Sequence, residues 1–149
     1  MLTNYARNKL IDAVFRDQAI TFPASFWLAL YTVAPTAAGG GTEVSHVDVD
    51  RIEIPCSLTA WSGTQAAGST GISSGTTGVI SNNDPVTVVA SLTAPLTGIV
   101  AVGLFDAATA GNLWHFGSIV DSTDAPITRS FSTGAAVEFA AGELIASWT

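Results

Sequence analysis

Most of the sequence consists of short apolar segments separated by turn residues, which is typical of antiparallel β structure. The segment Phe26–Thr32 is apolar on both alternating faces, as expected of a central strand that is covered on two sides. Seven further segments follow it, at Val47–Ile54, Val86–Leu92, Ile99–Phe105, Leu113–Val120, Ile127–Ser132, Val137–Phe139 and Leu144–Trp148. Between two of these segments, Asp106–Asn112 is predicted to be a tight turn in which the Asp106 and Asn112 side chains bond to local backbone and Gly111 has a positive φ. The sequence therefore predicts a mainly β fold, either a β-sandwich or a jelly-roll-like barrel of about eight short strands.

Only the N-terminal region has a helical pattern. From Tyr5 to Gln18, Leu10 and Val14 lie on one stripe with two alanines, and charged residues fall elsewhere. Thr3 or Asn4 can supply the N-cap oxygen. The sequence thus predicts a single domain over residues 1–149, with an amphipathic helix at about 5–18 and a β domain at about 20–149. We expect the Leu10/Val14 stripe to pack on the strands of the same subunit.

A segment of unusual composition, residues 62–78, interrupts the β pattern. It contains five glycines, four serines and four threonines, and it carries no charge. This composition is typical of a linker. The segment is therefore either flexible or laid across a neighbouring subunit.

The sequence has too few charges to cover a free-standing surface of its size. Charged residues make up 11% of the chain, whereas an ordinary soluble domain carries about 25%. Hydrophobic residues make up 48%, which exceeds what one core of this size requires. We therefore expect subunit interfaces to cover part of the surface, and a homo-oligomer.

The few positive charges cluster near the N-terminus, where Arg7, Lys9 and Arg16 lie among the first 17 residues. With Asp12 and Asp17 this stretch has a net charge of +1, so that the total of −7 leaves −8 for the rest of the chain. Nucleic-acid binding needs clustered basic residues, so DNA and RNA are excluded as expected partners. Arg7, Lys9 and Arg16 are instead predicted to face an acidic partner surface or solvent.

The sequence offers little for catalysis. It lacks the Gly-x-Ser-x-Gly, His-Glu-x-x-His and phosphate-binding glycine motifs, and we predict neither an enzyme nor a cofactor. One group of possible metal ligands is His46, Asp48 and Asp50, which an extended strand would place on one face. The favoured interpretation is the hydrated face of a strand with Val47 and Val49 pointing inward, so no metal is expected.

Two other side chains have a possible role. Trp61 precedes the glycine-rich segment and could stack on a sugar, although anchoring the loop to the core is the commoner use of such a residue. Cys56 is the single cysteine, which excludes an intrachain disulfide, and its apolar neighbours predict a buried, inert thiol. No signal peptide is predicted, because charged residues interrupt the first 17 positions. No membrane span is predicted either, because the uncharged runs contain prolines, glycines and β-branched residues.

Several segments, in the same order, resemble a family of small structural proteins of tailed bacteriophages. The N-terminal segment Leu2–Arg16 carries the resemblance first, followed by the Phe22-Pro23-Ala24 and Trp27–Thr32 segments. A Pro35 turn leading into Thr42-Glu43-Val44-Ser45, the Gly103–Leu113 turn region and the Phe139–Ile145 ending complete the pattern. The chain departs from the family pattern at Ser45–Arg51, where it keeps only the arginine.

The resemblance implies a virion component, assembled in the host cytoplasm. The small size of the chain and its lack of fibrous repeats favour a capsid-decorating cement protein. The expected partners are the major capsid protein and other virion proteins, and a trimer is the favoured oligomer. The alternative is a tail fibre or tail-tip component that binds a receptor or a glycan.

Overall fold

The computed structural model describes residues 1–147 and shows a mainly β protein with 37% strand and 8% helix. The predicted fold class is confirmed, although the described residues form eleven strands rather than about eight. The elements are α1 (Asn4–Phe15), β1 (Ser25–Val33), β2 (Thr42–Glu43), β3 (Ile52–Pro55), β4 (Val79–Ser81), β5 (Val86–Val89), β6 (Leu96–Ile99), β7 (Ala101–Phe105), β8 (Leu113–Ser118), β9 (Arg129–Phe131), β10 (Val137–Phe139) and β11 (Ile145–Ser147). The predicted strand at 144–148 extends to Trp148, which lies outside the described residues.

The main sheet has five antiparallel strands, with β1 at its centre. One edge of β1 pairs with β7, which then pairs with β8, and the other edge pairs with β2 and β3. In the register of β1 with β7, Leu28 lies opposite Leu104 and Ala29 lies opposite Gly103. The central position of β1 explains why the predicted segment Phe26–Thr32 is apolar on both faces.

The hydrophobic core lies between one face of this sheet and three two-stranded ribbons. The ribbons pair β5 with β10, β4 with β11, and β6 with β9, all antiparallel. Leu28 and Leu30 of β1 enter this core, which also contains Ile99 and Val137. The arrangement is sandwich-like, and it keeps most of the large apolar side chains of the strands away from water.

The helix begins as predicted but ends early. Thr3 is the N-cap, and its side-chain oxygen accepts a hydrogen bond from the backbone N–H of Ala6. At the other end Asp17 adopts a positive φ of 54°, and Gln18 N–H donates to the carbonyl of Asp12. This cap ends the helix at Phe15, whereas the sequence predicts Gln18.

The predicted packing of the Leu10/Val14 stripe on the strands is wrong. Val14 is 70% exposed, Leu10 is only half-buried, and within the described helix only Ala6 is fully buried. The reason is that residues 1–3 run along β8, where Thr3 N–H donates to the carbonyl of Trp114, and this contact fixes which side of the helix faces the sheet. That side carries Ala6, Ala13 and the half-buried Leu10, whereas Val14 lies at its edge and Ile11 and Phe15 point away from the sheet.

Within residues 1–147, no helix has the length and apolar character needed to cross a membrane.

Candidate functional site

The outer side of α1 carries an exposed apolar cluster, which we call the helix patch and which consists of Ile11, Val14 and Phe15. Ile11 is 51% exposed, Val14 70% and Phe15 80%. Positions separated by three and four residues share one side of a helix, so these side chains form one continuous surface. Arg7 lies one turn before Ile11 and therefore belongs to the same side. Exposed clusters of this kind are characteristic of protein contacts.

The three predicted interface cations are all on the protein surface. Arg16 pairs with Asp12 across one helical turn at 2.8 Å, and both side chains are well exposed. The Lys9 ammonium lies 5.8 Å from the centre of the Tyr5 ring, within the range of a weak cation–π contact. Arg7, Lys9 and Arg16 are thus accessible to a partner, as the prediction requires, but their contact with one stays a prediction.

A second surface feature is a cavity of about 470 Å³, which we call the groove. It lies between one face of the main sheet, formed by β1, β7 and β8, and the ribbon strands β9, β10 and β11, and its floor consists of core residues such as Leu28 and Leu30. Phe131, Phe139 and Ile145 contribute apolar lining, and Ile145 is 63% exposed. Charged side chains at its lining are Arg129, Glu138 and Glu143, and His115 lies at the β8 wall. Burial, and to a lesser extent the N-terminal ammonium, lowers the pKa of His115 below its ordinary value of 6.5, so this ring adds no positive charge near pH 7.

The most highly connected charged group is Arg51. Its guanidinium makes two hydrogen bonds of 2.8 Å to the Glu43 carboxylate, and it also donates to the carbonyls of Ala107 and Ala110 at 3.0 and 2.7 Å. It stacks on the Phe105 ring with 3.4 Å between the guanidinium carbon and the ring centre. Arg51 therefore ties β2 to the turn after β7, which is a structural role. Only the family resemblance, in which this arginine is retained, points to Arg51 from the sequence.

The turn between β7 and β8 is held by Asp106, as predicted. The Asp106 carboxylate accepts hydrogen bonds from the backbone and side chain of Asn112 and from the indole N–H of Trp114. Burial by itself would raise the pKa of Asp106, but these hydrogen bonds together lower it below its ordinary value. Gly111 has the predicted positive φ, 72°, and a side chain there would collide with Asp106.

The Trp114 indole, which Asp106 orients, is the centre of an aromatic group. Tyr5 of α1 meets it edge-on at 5.5 Å between ring centres, and Phe26 of β1 does so at 6.0 Å. Phe22 lies at 6.3 Å in a tilted arrangement. These contacts attach the start of α1 to the sheet, and they leave the end of the helix, with the helix patch, outside the core.

The metal-ligand candidates do not form a site of three. Residues 46–49 form a tight turn rather than the predicted strand, so that Val47 is 83% exposed at the tip instead of pointing inward. His46 Nδ1 lies 3.7 Å from the Asp48 carboxylate, whereas Asp50 is exposed. The backbone and side chain of Thr93 donate to Asp48 and lower its pKa. Among residues 1–147, no group of three or more His, Cys, Asp or Glu side chains could hold a metal ion.

Trp61 has contacts typical of an anchoring residue. It is half-buried, packs against the main core, and forms an isolated β-bridge with Asn82. Trp61 also contributes to the lining of the groove. Glycan binding by Trp61 stays a prediction.

The glycine-rich segment 62–78 is organised by its own hydrogen bonds. The side chain of Gln65 donates to Ser69 and to the carbonyl of Ile72, and it accepts from Ser74 N–H. Thr64 exchanges two hydrogen bonds with Gly75. The segment is therefore a folded surface loop in this chain. Whether it also reaches a neighbouring subunit stays a prediction.

The predicted burial of Cys56 is wrong, because this residue is exposed directly after β3. Cys56 follows β3, an edge strand. Its apolar neighbours in the sequence alternate between the two sides of the backbone, so they do not surround the Cys56 side chain.

The structure thus combines a mainly β fold, charged turn residues in structural roles and an exposed helix patch. The chain matches, over residues 1–147, the family described as Podophage GP4 fiber I protein gp80. It belongs to this family and is therefore a phage virion structural protein. No curated protein matches it.

Proposed function

We propose that this chain is a non-enzymatic structural subunit of a phage tail fibre. The observation that carries the proposal is the family match, which extends over residues 1–147 and names a fibre protein. The fold is consistent with this role, because Arg51 and Asp106, which are half-buried, are both engaged in fixing turns.

The family match favours the tail-fibre alternative over the capsid-decorating interpretation. Decoration of the head, contact with the major capsid protein, trimer formation and assembly in the host cytoplasm stay predictions. The absence of fibrous repeats, from which the sequence favoured a capsid location, is equally compatible with a compact subunit of a fibre.

The location on the particle tests the proposal directly. Intact particles of the encoding phage are labelled with a gold-conjugated antibody raised against the purified chain and imaged by electron microscopy. Gold confined to tail fibres is expected. Gold distributed over the head would overturn the fibre proposal and support the decoration alternative. Particles that lack the gene serve as the control for non-specific labelling.

A further inference from the structure

The helix patch and the groove are both apolar surfaces that the described residues of the chain leave uncovered. We propose that the helix patch of one copy docks into the groove of a second copy. This inference deepens the proposed function, on which it rests for its biological meaning, by naming the partner of the fibre subunit as a further copy of itself.

The helix supplies the inserting side chains. Its more buried side carries Ala6, Leu10 and Ala13, whereas Ile11, Val14 and Phe15 are exposed. An apolar helix face with anchors at i, i+3 and i+4 is the usual ligand of a hydrophobic groove. Since Thr3 and Tyr5 attach the start of the helix to β8, the outward face is presented in a fixed orientation. No residue of α1 lines the groove of the same chain.

The groove supplies a receptor of matching chemistry. Its volume of about 470 Å³ exceeds many times the roughly 30 Å³ of a water molecule, so it has room for more than one apolar side chain. Phe131, Phe139 and Ile145 offer an apolar surface. The charged residues around them are two carboxylates, Glu138 and Glu143, against one guanidinium, Arg129, which gives a net charge of −1.

Charge complementarity favours a second copy as the occupant. The stretch that contains the helix has a net charge of +1, and the remainder of each chain has −8. Arg7 lies on the side of the helix patch, so docking brings this cation towards the acidic groove. Because each copy carries one patch and one groove, the contact is heterologous, and such contacts produce closed rings or filaments.

A complementation experiment tests the contact in solution. Val14→Asp disables the patch and Ile145→Asp disables the groove, and both positions are exposed, so folding should be retained. Val47→Asp is the matched control, because it places the same charge on an exposed valine at a turn tip outside both surfaces. Light scattering after size-exclusion chromatography, at about 0.1 mM protein, gives the oligomeric state of each variant and of their mixtures, and circular dichroism checks the fold.

The wild type and Val47→Asp are expected to form the same oligomer, and each single variant is expected to be monomeric, with association weakened at least 100-fold. An equal mixture of Val14→Asp and Ile145→Asp should form a dimer, because the mixture retains one intact patch and one intact groove. A monomeric wild type, an oligomeric single variant, or a mixture that stays monomeric would each overturn the docking proposal. These outcomes leave the particle-labelling result untouched, so the two proposals fail separately.

A charge exchange provides a second arm. Arg7→Glu should weaken association, more strongly at low salt, and Glu138→Arg should do the same. If the groove accepts the helix as proposed, a mixture in which each variant supplies the complementary surface should associate more tightly than either variant alone. Equal association by all these proteins at low and moderate salt would exclude a role for Arg7 in the contact.

Discussion

Replacing Arg51 by alanine should destabilise the fold by about 3–4 kcal/mol, because its guanidinium contacts four different groups: the Glu43 carboxylate, two backbone carbonyls and the Phe105 ring. The side chain is 10% exposed, whereas that of Glu43 is 36% exposed. After the substitution, water can hydrate the Glu43 carboxylate, so the free energy lost with this ion pair is close to that of a surface pair, about 1 kcal/mol. The carbonyls of Ala107 and Ala110 each lose a charge-assisted hydrogen bond, but Ala110 is exposed and its carbonyl can bind water instead, so the two losses together cost about 1.5–3 kcal/mol.

The stacking on Phe105 adds about 1 kcal/mol, and partial relaxation of the turn reduces the total to the value given above. Arg51→Lys keeps the charge but loses the paired hydrogen bonds and the planar stacking, and we expect a loss of about 2 kcal/mol. Since about 1 kcal/mol shifts the melting temperature of a domain of this size by roughly 2–4 °C, Arg51→Ala should melt about 10 °C lower.

Urea unfolding followed by tryptophan fluorescence measures these differences. Arg16→Ala is the matched control, because Arg16 also makes a 2.8 Å ion pair, with Asp12, but at an exposed position. It should cost no more than about 0.5 kcal/mol. A loss below about 1 kcal/mol for Arg51→Ala, or equal losses for the two arginines, would refute the argument that burial and the two carbonyl contacts make Arg51 important.

Three further predictions concern positions that the structure defines sharply. Asp106→Ala should cost about 2 kcal/mol in urea unfolding. Because folding lowers the pKa of Asp106, the stabilisation by its carboxylate should be present above about pH 4 and decline as the pH falls below 3.8. Asp106→Asn should lack this pH dependence. Gly103→Ala should cost about 1–3 kcal/mol, because its new Cβ would lie 2.7 Å from Leu113 Cδ1, and full stability in the same assay would contradict this close approach. Leu10→Ala should cost about 1 kcal/mol, well under the 2–5 kcal/mol of a fully buried leucine. Measured on the dissociated monomer, Val14→Ser should stay within about 0.5 kcal/mol, and a larger loss there would show that Val14 is covered within its own subunit.

The sequence predicted those elements whose local chemistry and tertiary environment agree. The central strand β1 was found because its apolar residues occur on both faces, and Val137–Phe139 coincides with β10. The turn at 106–112 was found because Asp106 and Gly111 each carry a local signal, a hydrogen-bonding side chain and a glycine with positive φ. Such signals depend on neighbouring residues only, and they are therefore readable from the sequence.

The predictions fail where contacts between residues distant in the sequence determine the local structure. The His46–Val49 turn was interpreted as a strand because alternation over four residues does not distinguish the two. The outward side of α1 was misassigned because the orientation of a helix depends on its attachment, here the pairing of residues 1–3 with β8 and the contact of Tyr5 with Trp114. The groove brings residues of β1 and β7 together with residues of β8 to β11, and no local sequence pattern indicates this contact between distant parts of the chain.

The self-contained hydrogen bonding of the loop at residues 62–78 has a practical consequence for labelling. Gly68, near its tip, has open space around the position of a side chain and a positive φ of 74°, while Ser62 and Ser81 join the base of the loop to the body. Gln65 and Thr64 hold the remainder of the loop from within. A short epitope inserted directly after Gly68 would therefore project from the surface of the subunit without straining the sandwich. Whether an antibody reaches this epitope in intact particles would report directly whether a neighbouring subunit covers the loop.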